Sequence, residues 1–111
     1  MPIQTYQWKG SKETVLLAHG WESNSNRWRY EIEKLQTEGY TIIALDGPAH
    51  GSSGSATFNA ILYSEFINVV SQTFKPTFFI GHSVGAMAVI IFFQKQIYND
   101  AKKIALLGAP S

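Results

Sequence analysis

The sequence predicts an α/β domain: a doubly wound, mainly parallel sheet with helices on both faces. Short apolar runs rich in β-branched residues recur at Thr14 to Ala18, Thr41 to Leu45, Thr77 to Ile80 and Ile104 to Leu107. None alternates cleanly between apolar and polar residues, which is the pattern of strands covered on both sides. Stretches of helical length separate them, so the order reads β-α-β-α-β-α-β, and right-handed crossovers turn that order into a doubly wound sheet.

The first helix is predicted from about Ser25 to Glu38, where Trp28, Ile32 and Leu35 share a face and Gly39 supplies the stop. The second runs from about Phe58 to Phe74 with Leu62, Phe66, Val69 and Val70 inward; Thr57 can cap it, and Lys75-Pro76 prevents its continuation. The third spans about Val84 to Tyr98. Its first half, VGAMAVIIFF, is apolar all round, which predicts a central helix buried on most sides. The Thr77 to Ile80 strand is therefore expected between the Thr14 to Ala18 and Ile104 to Leu107 strands, with Thr41 to Leu45 outside the first.

With 111 residues, 45% hydrophobic and 15% charged, the chain has the balance of one small domain with one core, and whole-chain disorder is excluded. A net charge of +1 provides no basic field for nucleic acid or anionic lipid. Zero cysteines exclude disulfides, thiolate metal sites and a Cys nucleophile, a composition compatible with a cytoplasmic protein. The longest apolar run, Val84 to Phe93, is about half the length a bilayer crossing needs, so no membrane span is expected. The N-terminal residues lack the apolar stretch of a secretory signal. Phosphate-loop and dinucleotide-binding patterns are missing, and His19, His50 and His82 lack metal-ligand spacing, so neither cofactor nor metal is implied.

Chemistry concentrates in three short stretches. Gly81-His82-Ser83-Val84-Gly85 is a G-x-S-x-G set between a predicted strand and a predicted helix. Serine on such a sharp turn needs small residues two before and two after it, so that strand and helix can approach, and Ser83 is expected to hold a positive φ. In that place it is a candidate nucleophile at the positive end of a helix, which favours charge developing beside it in acyl transfer. The alternative is a helix capped by Ser83, with Gly81 and Gly85 kept for packing. Ala18-His19-Gly20-Trp21 ends the first parallel strand, and the backbone N–H groups of Trp21 and Val84 are candidates for an oxyanion hole. Trp21 can equally be a core aromatic. The third stretch is Asp46-Gly47-Pro48-Ala49-His50-Gly51-Ser52-Ser53, after the second parallel strand.

The order HGW, DGPAHGSS, GHSVG resembles the front half of an α/β-hydrolase, over about Tyr6 to Ser111. The resemblance implies that Tyr6-Gln7-Trp8 is the strand preceding the HGW strand through a Gly10-Ser11 turn. It also implies that Asp46 and His50 mainly hold their own loop together, with His19, Gly20, Gly81 and Gly85 structural to their motifs.

The family's chain order is nucleophile, acid, histidine, yet all three histidines here precede Ser83. Asp100 is the one aspartate downstream, and at the far end of a helix of about 15 residues it would lie about 20 Å from Ser83. His82, adjacent on a strand, points away from the Ser83 hydroxyl. His50 is the nearest thing to a local base. The chain therefore reads as one domain, residues 1–111, truncated before the acid and histidine. The leading expectation is a serine esterase or thioesterase acting on a small acyl substrate through an acyl-enzyme on Ser83. An acyltransferase with the same elbow and a non-catalytic interaction module are the alternatives. A strand edge at Ile104 to Leu107 is expected to invite self-association.

Overall fold

The computed structural model of the chain describes residues 5–18, 29–45 and 56–107, with side chains of the last segment from residue 60 onward. The elements are β1 (Thr5–Trp8), β2 (Thr14–Ala18), α1 (Arg29–Thr37), β3 (Thr41–Leu45), α2 (Ala56–Phe74), β4 (Phe78–His82), α3 (Val84–Gln94) and β5 (Lys103–Leu107). They form one sheet in the order β1-β3-β2-β4-β5. The β3–β2, β2–β4 and β4–β5 pairs are parallel and β1 is antiparallel to β3. This is the expected arrangement of the four parallel strands. β1 does precede β2 through the Gly10-Ser11 turn, but it pairs beyond β3. The turn is fastened to the α1–β3 corner, where the N–H groups of Ser11 and Lys12 both donate to the Gly39 carbonyl, at 3.0 and 2.9 Å.

The unalternating strands follow from a sheet that is covered twice. Leu16, Ala18, Ile43, Leu45 and Phe79 pack under α2 and α3, whereas Val15, Leu17, Ile42 and Ala44 pack with Ile32 and Leu35 of α1. Successive side chains leave a strand on opposite faces, so both parities must be apolar.

Local chemistry sets the helix ends. Behind α1, Gly39 has φ +95; its N–H donates to Gln36 and the Tyr40 N–H to Leu35, at 2.9 and 3.1 Å. That is a Schellman cap, and Leu35 and Tyr40 add the apolar contact that accompanies one. The predicted residues 25–28 of this helix, Trp28 among them, lie outside the described residues. In α2, Thr57 falls inside the helix, not at its cap, because the helix begins at Ala56. Val69 is 54% exposed, contrary to the expected inward position. Ala60, Tyr63, Ile67 and Val70 hold the inner face, and Val69 stands about 200° around the axis from Ile67. The helix ends at Phe74, after which Lys75 takes a left-handed φ of 53 before Pro76.

α3 is shorter than expected, stopping at Gln94 rather than running to Tyr98. Gln96 takes a left-handed φ of 55, and the chain turns so that Tyr98 joins Phe79, Phe92 and Phe93 in an aromatic cluster. The Tyr98 hydroxyl donates to the Pro76 carbonyl. Burying that ring outweighs extending an exposed helix by one turn. α3 is covered on most sides, with Ile90 open to solvent.

Candidate functional site

The four parallel strands bring Ala18, Leu45, His82 and Leu107 to one edge of the sheet. Their register makes them neighbours: Ala18 is opposite both Leu45 and Gly81, and Gly81 and His82 are opposite Leu106 and Leu107. In sequence, the HGW, DGPAHGSS and serine motifs follow the ends of β2, β3 and β4. Open parallel sheets bind ligands at this carboxyl edge, where successive loops converge.

Ser83 forms the whole connection between β4 and α3, with φ 57 and ψ −122. The positive φ expected of a nucleophile elbow is therefore present. A non-glycine residue in this region stores about 1–3 kcal/mol of strain, which the surroundings must hold in place. Two backbone bonds do so: the Ser83 N–H donates to the Leu107 carbonyl at 3.0 Å, and the Ser83 carbonyl accepts from the Met87 N–H at 3.1 Å. Gly81 meets the start of α3 so closely that a Cβ there would lie 2.7 Å from Ala86 Cα and 2.9 Å from the Gly85 carbonyl oxygen. The glycine at position 81 is thus explained by the approach of strand and helix.

The Ser83 side chain makes no capping hydrogen bond to α3 and is half-buried at the head of that helix. Because the Ser83 N–H is committed to β5, an anion arriving beside the hydroxyl must be met by other donors. The N–H of Val84 opens α3, where helix amides have no acceptor one turn back and the helix dipole is positive.

His82 alternates along β4 with buried Gly81 and shares its face with Phe78 and Ile80, which border α1; α3 packs on the other face. It therefore leaves the sheet on the side away from the helix that Ser83 heads. Asp100 is not at a helix end as expected but in the connection before β5. It is no nearer to Ser83 for that. It precedes the amino end of β5, and the five-residue strand puts it about 16 Å or more from the carboxyl edge. His19, Gly20, Trp21, Asp46 and His50 lie outside the described residues. Among the described residues no three His, Cys, Asp or Glu side chains gather as a metal site. None of their helices is long and apolar enough to cross a membrane.

Two apolar hollows flank β5, neither lined by Ser83. One, of about 250 Å³, lies between Leu35, Tyr40, Phe78 and Ala105; the other, of about 310 Å³, lies between Val89, Phe93, Ile104 and Leu106. At the amino edge of the sheet, opposite the serine, Glu13 accepts from Lys102 and from the Thr77 hydroxyl, both at 2.9 Å. These two bonds hold the Glu13 carboxyl below its usual pKa and clasp β2, β4 and β5 together.

Residues 13–111 match the model of the alpha/beta hydrolase fold family. The chain belongs to the α/β-hydrolase family. The sequence is 26% identical over 100 residues to the phospholipase YtpA of Bacillus subtilis, a match covering 82% of the chain and 39% of the relative. It is 31% identical over 81 residues to the dihydrolipoyllysine-residue acetyltransferase component of the acetoin cleaving system of Cupriavidus necator, covering 68% of the chain and 21% of the relative. Among solved structures it is similar to an esterase from Exiguobacterium antarcticum, with a TM-score of 0.80 and 28% identity over 96% of this chain and 41% of that one. The chain spans about two fifths or less of the length of these relatives.

Proposed function

We propose that this chain carries the nucleophile of a serine hydrolase acting on esters or thioesters. The observation that supports it most is the φ of 57 at Ser83, strain kept at a polar residue whose hydroxyl does not cap its helix. In this reading the Ser83 Oγ attacks the acyl carbonyl carbon and passes its proton to a base. The tetrahedral oxyanion is held by the backbone N–H groups of Val84 and Trp21. The bond to the leaving alkoxide or thiolate then breaks, that group takes up the proton, and water releases the acyl group from Ser83. An esterase and a phospholipase among the relatives agree with a small-molecule acyl substrate.

Residues 84–111 contain no histidine, and Asp100 is at the wrong edge of the sheet. We therefore assign the acid–histidine pair to polypeptide outside these 111 residues, in keeping with the greater length of the relatives. A second reading, transfer of the acyl group to an acceptor other than water, draws on the acetyltransferase component in the comparison. It shares every step up to the acyl-enzyme.

Hydrolysis of a nitrophenyl ester by the purified chain, with Ser83→Ala as control, tests the assignment. A missing triad histidine can cost on the order of a millionfold in turnover, so a slow rate that disappears in the variant is expected. A rate unaffected by Ser83→Ala would remove Ser83 from the chemistry. Fast turnover lost in the variant would show a base within the chain, with His50 as the first to replace.

A further inference from the structure

Every lysine of the chain stands at one end of the molecule, the edge of the sheet opposite Ser83, where the parallel strands begin and the helices between them finish. Lys9 follows β1, which runs the other way and ends there; Lys12 lies in the turn before β2 and Lys75 before β4, with Lys102 and Lys103 at the start of β5. Lys34 in the last turn of α1 and Lys95 just behind α3 add one charge on each side of the sheet. All of them are exposed. Glu13, Glu33, Glu38 and Asp100 share this end, which leaves an excess of three positive charges, while the rest of the chain carries −2. A net charge of +1 is a sum over the chain; it does not report how the fold sorts the charges. Part of the sorting is local: a helix C-terminus favours cations, which accounts for Lys34, Lys75 and Lys95, and Lys102 answers Glu13 at 2.9 Å. Lys9 and Lys103 make no ion pair among the described residues. Nor do dipoles explain Ile97. It follows the left-handed Gln96 and is 49% exposed, while the next residue, Tyr98, is buried with its hydroxyl on the Pro76 carbonyl. The turn that buries the tyrosine leaves the isoleucine outside, between Lys95 and Lys102. An apolar side chain among lysines at a blunt end fits a flat anionic surface with an apolar layer beneath it. Nucleic acid fits less well, because the exposed aromatics among the described residues, Tyr6 and Tyr30, lie toward the carboxyl edge and offer no stacking platform here.

We propose that this lysine-bearing end docks on an anionic lipid bilayer, with the lysines against the headgroups and Ile97 at the boundary of the acyl layer. The length of the strands, about 16 Å, then holds Ser83 on the side that faces water. The proposal does not rest on the serine hydrolase reading. Sedimentation of the 111-residue chain with vesicles of phosphatidylcholine and phosphatidylserine in equal parts, beside vesicles of phosphatidylcholine alone, tests it. Binding is expected to the first and not to the second, and it should weaken as salt rises. A lysine near such a surface is worth about fivefold in affinity, so Lys9→Gln combined with Lys103→Gln should weaken binding by about twentyfold. Arg29→Gln alters charge at the opposite end of α1 and should change it by less than about twofold. Ile97→Ser should weaken binding to the vesicles by about threefold or more and leave any binding to a DNA duplex unchanged. Equal sedimentation with both kinds of vesicle would overturn the proposal, as would a loss in Arg29→Gln matching that of the lysine pair. Tighter binding to the DNA duplex, with no effect of Ile97→Ser on the vesicles, would overturn it in favour of nucleic acid.

Discussion

Gly81 and Ala86 touch backbone to backbone: a methyl group at position 81 would sit 2.7 Å from Ala86 Cα. Neither partner is a flexible side chain that could swing aside. Gly81→Ala should therefore push α3 away from β4 and cost about 3 kcal/mol, at the upper end of overpacking penalties. Urea denaturation measures it, and a loss under about 1 kcal/mol would mean that the helix is free to shift.

Strain at Ser83 predicts an inverted order of stability. Alanine keeps the Cβ that makes φ 57 costly, whereas glycine removes it. Ser83→Gly should be more stable than Ser83→Ala by about 1 kcal/mol, the relief of strain being partly offset by the looser unfolded chain. Thermal unfolding of the pair provides the comparison. Equal stability, or alanine above glycine, would contradict a strained turn.

Tyr98 predicts alkaline sensitivity. Burial, with the charge of Asp100 adding to it, pushes its phenol up to about 12 from the ordinary 10. A group bound more tightly to its proton in the folded state contributes stability that is complete below pH 10 and is lost as pH rises from there through 12. Tyr98→Phe, which also strands the Pro76 carbonyl, should cost about 1–2 kcal/mol at neutral pH and flatten that alkaline decline. Parallel declines in both proteins would assign the sensitivity to other tyrosines.

The outer edge of β5 predicts assembly of the isolated 111-residue chain. Ile104, Leu106 and Leu107 are 43%, 40% and 45% exposed beside the two apolar hollows. Antiparallel pairing with a second copy about Ala105 sets Ile104 against Leu106 and Lys103 against Leu107, so no two lysines meet. Light scattering coupled to size exclusion at tens of micromolar should show a dimer that Leu106→Lys weakens. A 12.4 kDa monomer at that concentration would defeat the expectation.

Read as sequence, the parallel strands and the sharp turn at Ser83 were legible, because each rests on local chemistry, and their order followed from the crossover rule and the all-apolar third helix. Two-sided burial demands unalternating apolar runs at Thr14–Ala18 and Thr41–Leu45, and a serine forced between strand and helix demands Gly81 two residues before it. Gly39 marked its own helix end because a left-handed residue there is cheapest without a Cβ. Tertiary packing decided the rest. Whether α3 stops at Gln94 or runs on to Tyr98 depends on what the Tyr98 ring finds after the chain turns, and it finds Phe79, Phe92 and the Pro76 carbonyl. The pairing of β1 outside β3 and the Tyr63–Leu45 bond likewise join residues distant in the chain. Periodicity reports which face of an element is apolar; which partner covers that face, and where a carbonyl finds its donor, is decided when distant elements compete for the same space.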